Sequence, residues 1–244
     1  MTIRAIFYDL DGTLRMNVPS GWQSFTDFAS QLGLHFPSED RLRAARWEHY
    51  YFAESSELHM DEAAFPERLS FWTNYSRRRL LKLGASPEQA AEFAPLVTQY
   101  MGEAYKPVDT IPVDLIDTLK TLREQGYILG VLSNRKVSYS DYLAERGLSE
   151  YFSLAVFAGE AGLYKPNPGV FHYLLEKAGV SAGESMYVGD NYYADVVGAR
   201  EAGMAPVLLD INGLFDEPGC PVIQSHSQLL PLLDTKLNPD FRIL

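Results

Sequence analysis

The chain is short of cysteine, of positive charge and of long apolar runs. Its 244 residues include one cysteine, Cys220, which cannot form an internal disulfide and cannot make a zinc site alone. That usage reads as an intracellular, reducing compartment, with Cys220 inert between Gly219 and Pro221. Lysine and arginine number 21 against 32 aspartates and glutamates, a net charge of -11. Such a balance argues against DNA or an anionic membrane as the main partner, but not against a small phosphate in one locally positive pocket. No apolar run approaches the roughly 20 residues of a membrane helix, and Asp9 and Asp11 interrupt the first apolar stretch, so no leader is read there. The protein reads as cytoplasmic, with no membrane and no nucleic-acid polymer among its partners. There is no internal repeat and no low-complexity tract.

What the chain does hold is enough to bury a core. Hydrophobic residues make up 46% and charged ones 22%, which excludes global disorder, and the length suits one to two domains. Apolar runs of strand length recur at Ile3–Tyr8, Tyr127–Leu132, Leu154–Phe157, Ser185–Val188 and Pro206–Leu209. They lack strict alternation, as parallel strands covered on both faces do. Between them Leu115, Leu119 and Leu122 share one helical face before Gly126. Asn167 and Pro168 suit a helix start, followed by Phe171, Leu174, Leu175 and Ala178 at the 3.6 period and Gly179 as a stop. The alternation predicts an α/β fold, a Rossmann-like doubly wound parallel sheet.

Residues 16–108 break that rhythm and predict an inserted all-helical domain, leaving 1–15 and 109–244 as the Rossmann-like core. Phe25, Phe28, Ala29 and Leu32 fall on one face, and Ser86-Pro87-Glu88-Gln89 has the form of a capping box. Ala90, Phe93, Ala94, Val97 and Met101 form a stripe that Pro95 is expected to kink or shorten. All three tryptophans, Trp22, Trp47 and Trp72, lie in the insert. Prolines mark its expected hinges, Asn17–Gly21 and Lys106–Pro112.

The strongest chemical signal is Asp9-Leu10-Asp11-Gly12-Thr13-Leu14, directly after the first strand. Residues two apart on a strand point the same way, so both carboxylates can face a site at its carboxyl end, where open α/β sheets bind ligands. A surface Asp-Gly turn is the bland alternative. Ser133-Asn134, Lys165 in Tyr164-Lys165-Pro166-Asn167-Pro168, and Gly189-Asp190-Asn191 with Asp195 come after other expected strands. Singly they read as a cap, a solvated lysine and surface acids. Together with Asp9 and Asp11 they place four acids, a hydroxyl and a lysine on one rim.

In this order these stretches resemble the four motifs of the haloacid dehalogenase-like hydrolase superfamily, in its phosphatase branch with a helical cap inserted after the first strand. The resemblance covers essentially the whole chain, the cap being its least matched part. Phosphate-monoester hydrolysis is so slow uncatalysed that enzymes accelerate it by up to ~10²¹, which demands a nucleophile, a proton for the leaving alkoxide and dense positive charge. The resemblance assigns Asp9 as a nucleophile that becomes an aspartyl-phosphate. It assigns Asp11 as general acid and then base, protonated when substrate arrives, a state that burial would favour. It implies Mg²⁺ held by Asp9, the backbone carbonyl of Asp11, and Asp190, with Asp195 orienting these groups or binding through water. Lys165, Ser133, the Asn134 backbone amide and Thr13 would hold the phosphoryl oxygens, with Thr13 otherwise orienting Asp9 or capping the next turn. The dehalogenase branch lacks a carboxyl at the place of Asp11, because a halide leaves without a proton.

The implied reaction is Mg²⁺-dependent hydrolysis of a small phosphorylated metabolite. A phosphomutase of the same superfamily is the rival enzyme, and a phospho-acceptor module such as a receiver domain the rival of another class. Against the latter stand the large insertion after the first strand and a chain about twice as long as such a module. A silent binding protein on this scaffold finds no support in the acids and Lys165. In the cap, Trp47, Tyr50, Tyr51 and Phe52 read as a small helical core and Arg77-Arg78-Arg79 as a solvated face, each with substrate recognition as the alternative. Arg15 lies closer to the expected site, while His35, His49 and His59 show no metal-ligand spacing.

Overall fold

The computed structural model describes residues 2–234. The chain forms two compact units. One takes the chain up to Met16 and again from Ile111, and the other is Asn17–Thr110.

The second unit is built from α1 (Gly21–Gln31), α2 (Ser38–Tyr51), α3 (Ser56–Ala64), α4 (Arg68–Lys82) and α5 (Pro87–Glu103). Ser20, Ser55 and Ser86 each cap a helix by accepting from a backbone N–H two or three residues into it. The capping box at Ser86 and Gln89 is complete in both directions. Phe25, Ala29, Leu80, Leu83, Ala90, Ala94 and Val97 make its main core, and Trp47, Tyr51, Leu58 and Tyr75 a second one. Pro95 does not shorten α5, which runs 17 residues through it. Both Pro95 and Ala91 are exposed, so the carbonyl that loses its helical donor can turn to water. The strands Met16–Val18 and Val108–Thr110 pair as a short ribbon where the chain enters and leaves the insert. They are too short and too exposed to give a strand signal in sequence.

The first unit carries a six-stranded sheet of β1 (Ala5–Tyr8), β2 (Ile128–Ser133), β3 (Leu154–Phe157), β4 (Ser185–Gly189), β5 (Ala205–Leu209) and β6 (Val222–Ile223), in the order β3-β2-β1-β4-β5-β6 with neighbouring strands parallel. β6, only two residues long, has no signature in the sequence. Ile6, Tyr8, Val131 and Val188 pack on one face with Leu115, Leu119 and Leu122. Ala5, Phe7, Leu132 and Tyr187 pack on the other with Phe171, Leu174 and Leu175. Burial on both faces explains why these strands read as unbroken apolar runs. The strand order reverses about β1, whose Tyr8 is level with Val131 on one side and Val188 on the other. The residues after these three strands therefore emerge together at the switch point of the sheet. Among the described residues no helix is long and apolar enough to cross a membrane.

Candidate active site

Asp9 leaves β1 with its backbone N–H still donating to Val188 O at 2.9 Å, which fixes the carboxylate beside the end of β4. Lys165 reaches it from the loop before the helix Pro168–Ala178 and is only 2% exposed, so it is not the solvated loop lysine of the bland reading. Its Nζ donates to Asp9 Oδ1 at 2.6 Å, to Asp195 Oδ1 at 2.6 Å and to Tyr187 OH at 3.0 Å. All three ammonium protons are thus spent. Tyr187 passes its own proton to Leu132 O at 2.9 Å.

The loop is aimed by Asn134. Its carboxamide donates to Lys165 O at 3.0 Å and accepts from Lys165 N at 2.7 Å, a two-point clamp that mimics backbone pairing. The Asn134 side chain is therefore spoken for as a positioning device, whatever its backbone amide does. Ser133 closes β2 and is 2% exposed. Asp195 sits in the π-helical segment Tyr192–Val197, and its Oδ2 accepts from Asn191 N at 2.9 Å. Asn191 in turn caps that segment, accepting from Tyr193 N and Ala194 N at 3.0 Å each. Such irregular turns recur at functional sites because they re-aim a side chain.

Asp190 completes the cluster. One carboxylate oxygen from each of Asp9, Asp190 and Asp195 lies within 4.8 Å of the others. Thr13 donates to Asp190 Oδ1 at 3.2 Å, so its hydroxyl neither orients Asp9 nor caps the next turn. Two glycines make the crowding possible. A Cβ on Gly12, whose φ is +96°, would collide with the Asp190 carboxylate, and one on Gly189 with that of Asp195.

Electrostatically the pocket is short of positive charge. Burial pushes Asp9 up to about 7, with Lys165 opposing and Asp195 adding to the rise. Burial, then repulsion from Asp9 and Asp195, holds Asp190 well above the usual carboxylate range. Burial alone would depress Lys165, but Asp195 and Asp9 outweigh it and keep the ammonium charged. One ammonium cannot neutralise three carboxylates. The donor set is all oxygen, tightly spaced and under-compensated, which fits a hard divalent cation such as Mg²⁺.

Asp11 behaves otherwise. Arg135 grips it bidentately, Nε to Oδ2 and Nη2 to Oδ1 at 2.8 Å each, and Arg15 adds a contact of 2.9 Å to Oδ1. Burial tends to raise its pKa, but the hydrogen bonds and charge of Arg135, then of Arg15, bring it below the usual value. Without substrate, burial does not prevail at this carboxyl: the two guanidinium groups outweigh it and favour the ionised form. Reasoning from sequence misses Arg135 and Tyr187. Arg135 stands two residues beyond Ser133, which is a usable signal. Tyr187 looks like any other strand residue.

In the helical unit the arginine run is only partly a solvated face: Arg77 is exposed, Arg78 half-buried and Arg79 buried. Arg79 is 3% exposed and pairs with Glu48 at 3.1 Å, Arg78 bridges Glu57 and Asp61, and Arg77 bonds Asn74. Trp47 and Tyr51 pack as core, whereas Tyr50 and Phe52 are partly exposed. Cys220 is half-buried, and burial pushes its thiol up, away from reactivity.

A parallel α/β unit with a lysine-bridged cluster of aspartates at its switch point defines an α/β protein with an acidic ligand site, and comparison gives the family. Residues 3–203 match the haloacid dehalogenase-like hydrolases, and the chain belongs to that family. It is 30% identical to a glyceraldehyde 3-phosphate phosphatase of Methanopyrus kandleri, over 84% of this chain and 83% of that protein. It is 28% identical to a phosphoserine phosphatase of Thermus thermophilus, over 88% and 91%. In fold it resembles the crystal structure of a 2-haloacid dehalogenase from Pseudomonas syringae, with a TM-score of 0.54 and 24% identity over 96% and 99% of the two chains. That last likeness concerns the fold alone.

Proposed function

We propose that the protein is a phosphatase that hydrolyses a small phosphomonoester through a covalent phosphoryl-aspartate, in a reducing, cytoplasmic setting. The observation that carries this reading is the Lys165 ammonium, 2.6 Å from both Asp9 and Asp195 with Asp190 alongside. Asp9 Oδ1 is engaged by Lys165, which leaves Oδ2 as the attacking atom. It bonds to phosphorus as the bond to the leaving oxygen breaks, and that oxygen takes a proton from Asp11. In the second half Asp11, again a carboxylate, takes a proton from a water that attacks the phosphorus, freeing phosphate and restoring Asp9. Arg135 and Arg15 suit Asp11 to this second half, and their grip must loosen for the first.

Asp9, Asp190 and the Asp11 carbonyl would hold Mg²⁺, with Asp195 keeping the lysine and the Asn191 turn in place. The cation supplies positive charge to the phosphoryl oxygens when bound. Lys165 supplies a fixed charge to the same oxygens, and Ser133 and the Asn134 amide neutral donors. Asp11 also favours phosphoryl chemistry over dehalogenation, since an alkoxide leaving group needs a proton and a halide does not. The relatives named for glyceraldehyde 3-phosphate and phosphoserine support a substrate among small phosphorylated metabolites.

The test is phosphate release across a panel of phosphometabolites, with and without Mg²⁺, for the parent and Asp9→Asn. Removing a nucleophile should lower kcat by at least ~10⁴-fold while the fold persists. Equal turnover by Asp9→Asn would end the covalent scheme. Metal-independent turnover would end the Mg²⁺ assignment.

A further inference from the structure

We infer that the helical unit carries a binding site of its own for an uncharged, ring-bearing organic molecule. Between α1, α4 and α5 lies a cavity of about 750 Å³ lined by Phe25, Phe52, Leu69, Trp72, Tyr75 and Met101, among others. That volume falls within the roughly 300–1,000 Å³ typical of small-molecule pockets. Its walls leave large apolar surface in water: Leu69 is 71% exposed, Trp72 39% and Phe52 36%. Three such residues on one concavity are surface that a ligand would remove from solvent.

The rings are already set against one another. Trp72 stands edge-on to Tyr75 at 5.5 Å, and Phe52 lies 5.2 Å from Tyr75 and 6.3 Å from Trp72. Rigid aromatic side chains in mutual contact lose little entropy when a further ring packs on them.

The charges favour neither sign of ion. Four charged residues line the cavity, Arg68 and Arg79 against Glu48 and Glu103, so the signs balance. The buried one, Arg79, is met by Glu48, which also accepts from Tyr75 OH at 2.6 Å. The other two, Arg68 and Glu103, are exposed and opposite in sign, so the lining has no net charge to favour an anion or a cation over a neutral ring. The hydroxyls of Ser76 and Thr98, 2.8 Å apart on the same wall, offer one polar anchor for a ring substituent.

The fold supplies its own probe. Gly102 lines the cavity from α5, and a Cβ there would meet nothing within 4 Å. Gly102→Leu therefore places a side chain in open space on the cavity wall, in a helix that leucine favours over glycine. Isothermal titration of the parent with indole should show one saturable site. Gly102→Leu should weaken it by about tenfold or more while keeping or raising Tm, and Trp72→Ala should weaken it similarly. Indole-3-acetate and tryptamine, the anionic and cationic analogues, should bind more weakly than indole.

Four results would overturn the inference. One is no saturable heat with indole up to its solubility, and another is unchanged affinity in Gly102→Leu. Tighter binding of either charged analogue would refute the uncharged ligand. Sedimentation showing self-association of the parent that Gly102→Leu abolishes would make the cavity a contact between copies.

Discussion

In the core unit, Lys165 is shared at 2.6 Å between Asp9 and Asp195, with Asp190 beside them, and it alone among the described residues is seen to bridge these acids. In the helical unit, Arg79 is buried as deeply, but one carboxylate, Glu48, answers it, with Tyr75 OH filling in at 3.3 Å. Burying charge is expensive in both places. Where the charges match one for one, the group holds α2 against α4 and carries no surplus charge. Where three carboxylates share one ammonium, the lack of counter-charge pushes Asp9 and Asp190 toward the neutral form, and that deficit marks the place where a cation belongs. Stoichiometry of buried charge thus separates a structural network from a working site better than burial does.

Several substitutions can break that comparison. The largest effect is expected from Lys165→Met, which removes the cation that the buried carboxylates share. It should cost about 3–5 kcal/mol in a denaturant melt, and turnover with it. A variant as stable as the parent would mean that the acids are already neutral. Glu48→Gln should cost somewhat less, about 3 kcal/mol, because it leaves Arg79 buried without its counter-ion.

Asp190→Asn should act with the opposite sign. Without metal it relieves repulsion and should raise Tm by a few degrees, at about 2–4 °C per kcal/mol for a chain of this size. Mg²⁺ at 100 times its Kd should stabilise the parent by about 2.7 kcal/mol and Asp190→Asn far less. If both gain equally, the surplus charge is not the metal's seat.

The smallest expected effect concerns His226, whose ring bonds Thr13 O at 3.1 Å and whose pKa burial lowers from 6.5. The unfolded ring takes up a proton below that value and the folded one resists it. Stability should therefore fall as pH drops below about 6.5. In melts between pH 7 and 5, His226→Gln should show a shallower slope than the parent.

Much of the core was legible because its signals are local. β3 matches its apolar run, the other four expected strands differ from theirs by a residue or two at their ends, and Asn167, Pro168 and Gly179 bound a helix as their backbone preferences require. The four motif stretches converge because parallel strands all end on the same edge. The missed features are those without local signatures: the two-residue β6, the ribbon beside the insert, and the exposed Pro95 that α5 absorbs. Asn134 shows the same limit at the site. The expected phosphate donor is its backbone amide, whereas the work of its side chain, spent on the Lys165 backbone 31 residues away, has no local signature.

By itself the sequence determined the chemistry available: which carboxylates, which lysine, and the alternation of apolar runs that sends them to one rim. Those are properties of residue type and period, fixed before any long-range contact forms. Only the tertiary structure decided partners and charge states: Thr13 on Asp190 rather than Asp9, Arg135 and Arg15 closed on Asp11, Arg79 buried rather than solvated. Such pairings join residues up to 177 positions apart. Their strength depends on distance and on exclusion of water, and both arise only when the chain has packed.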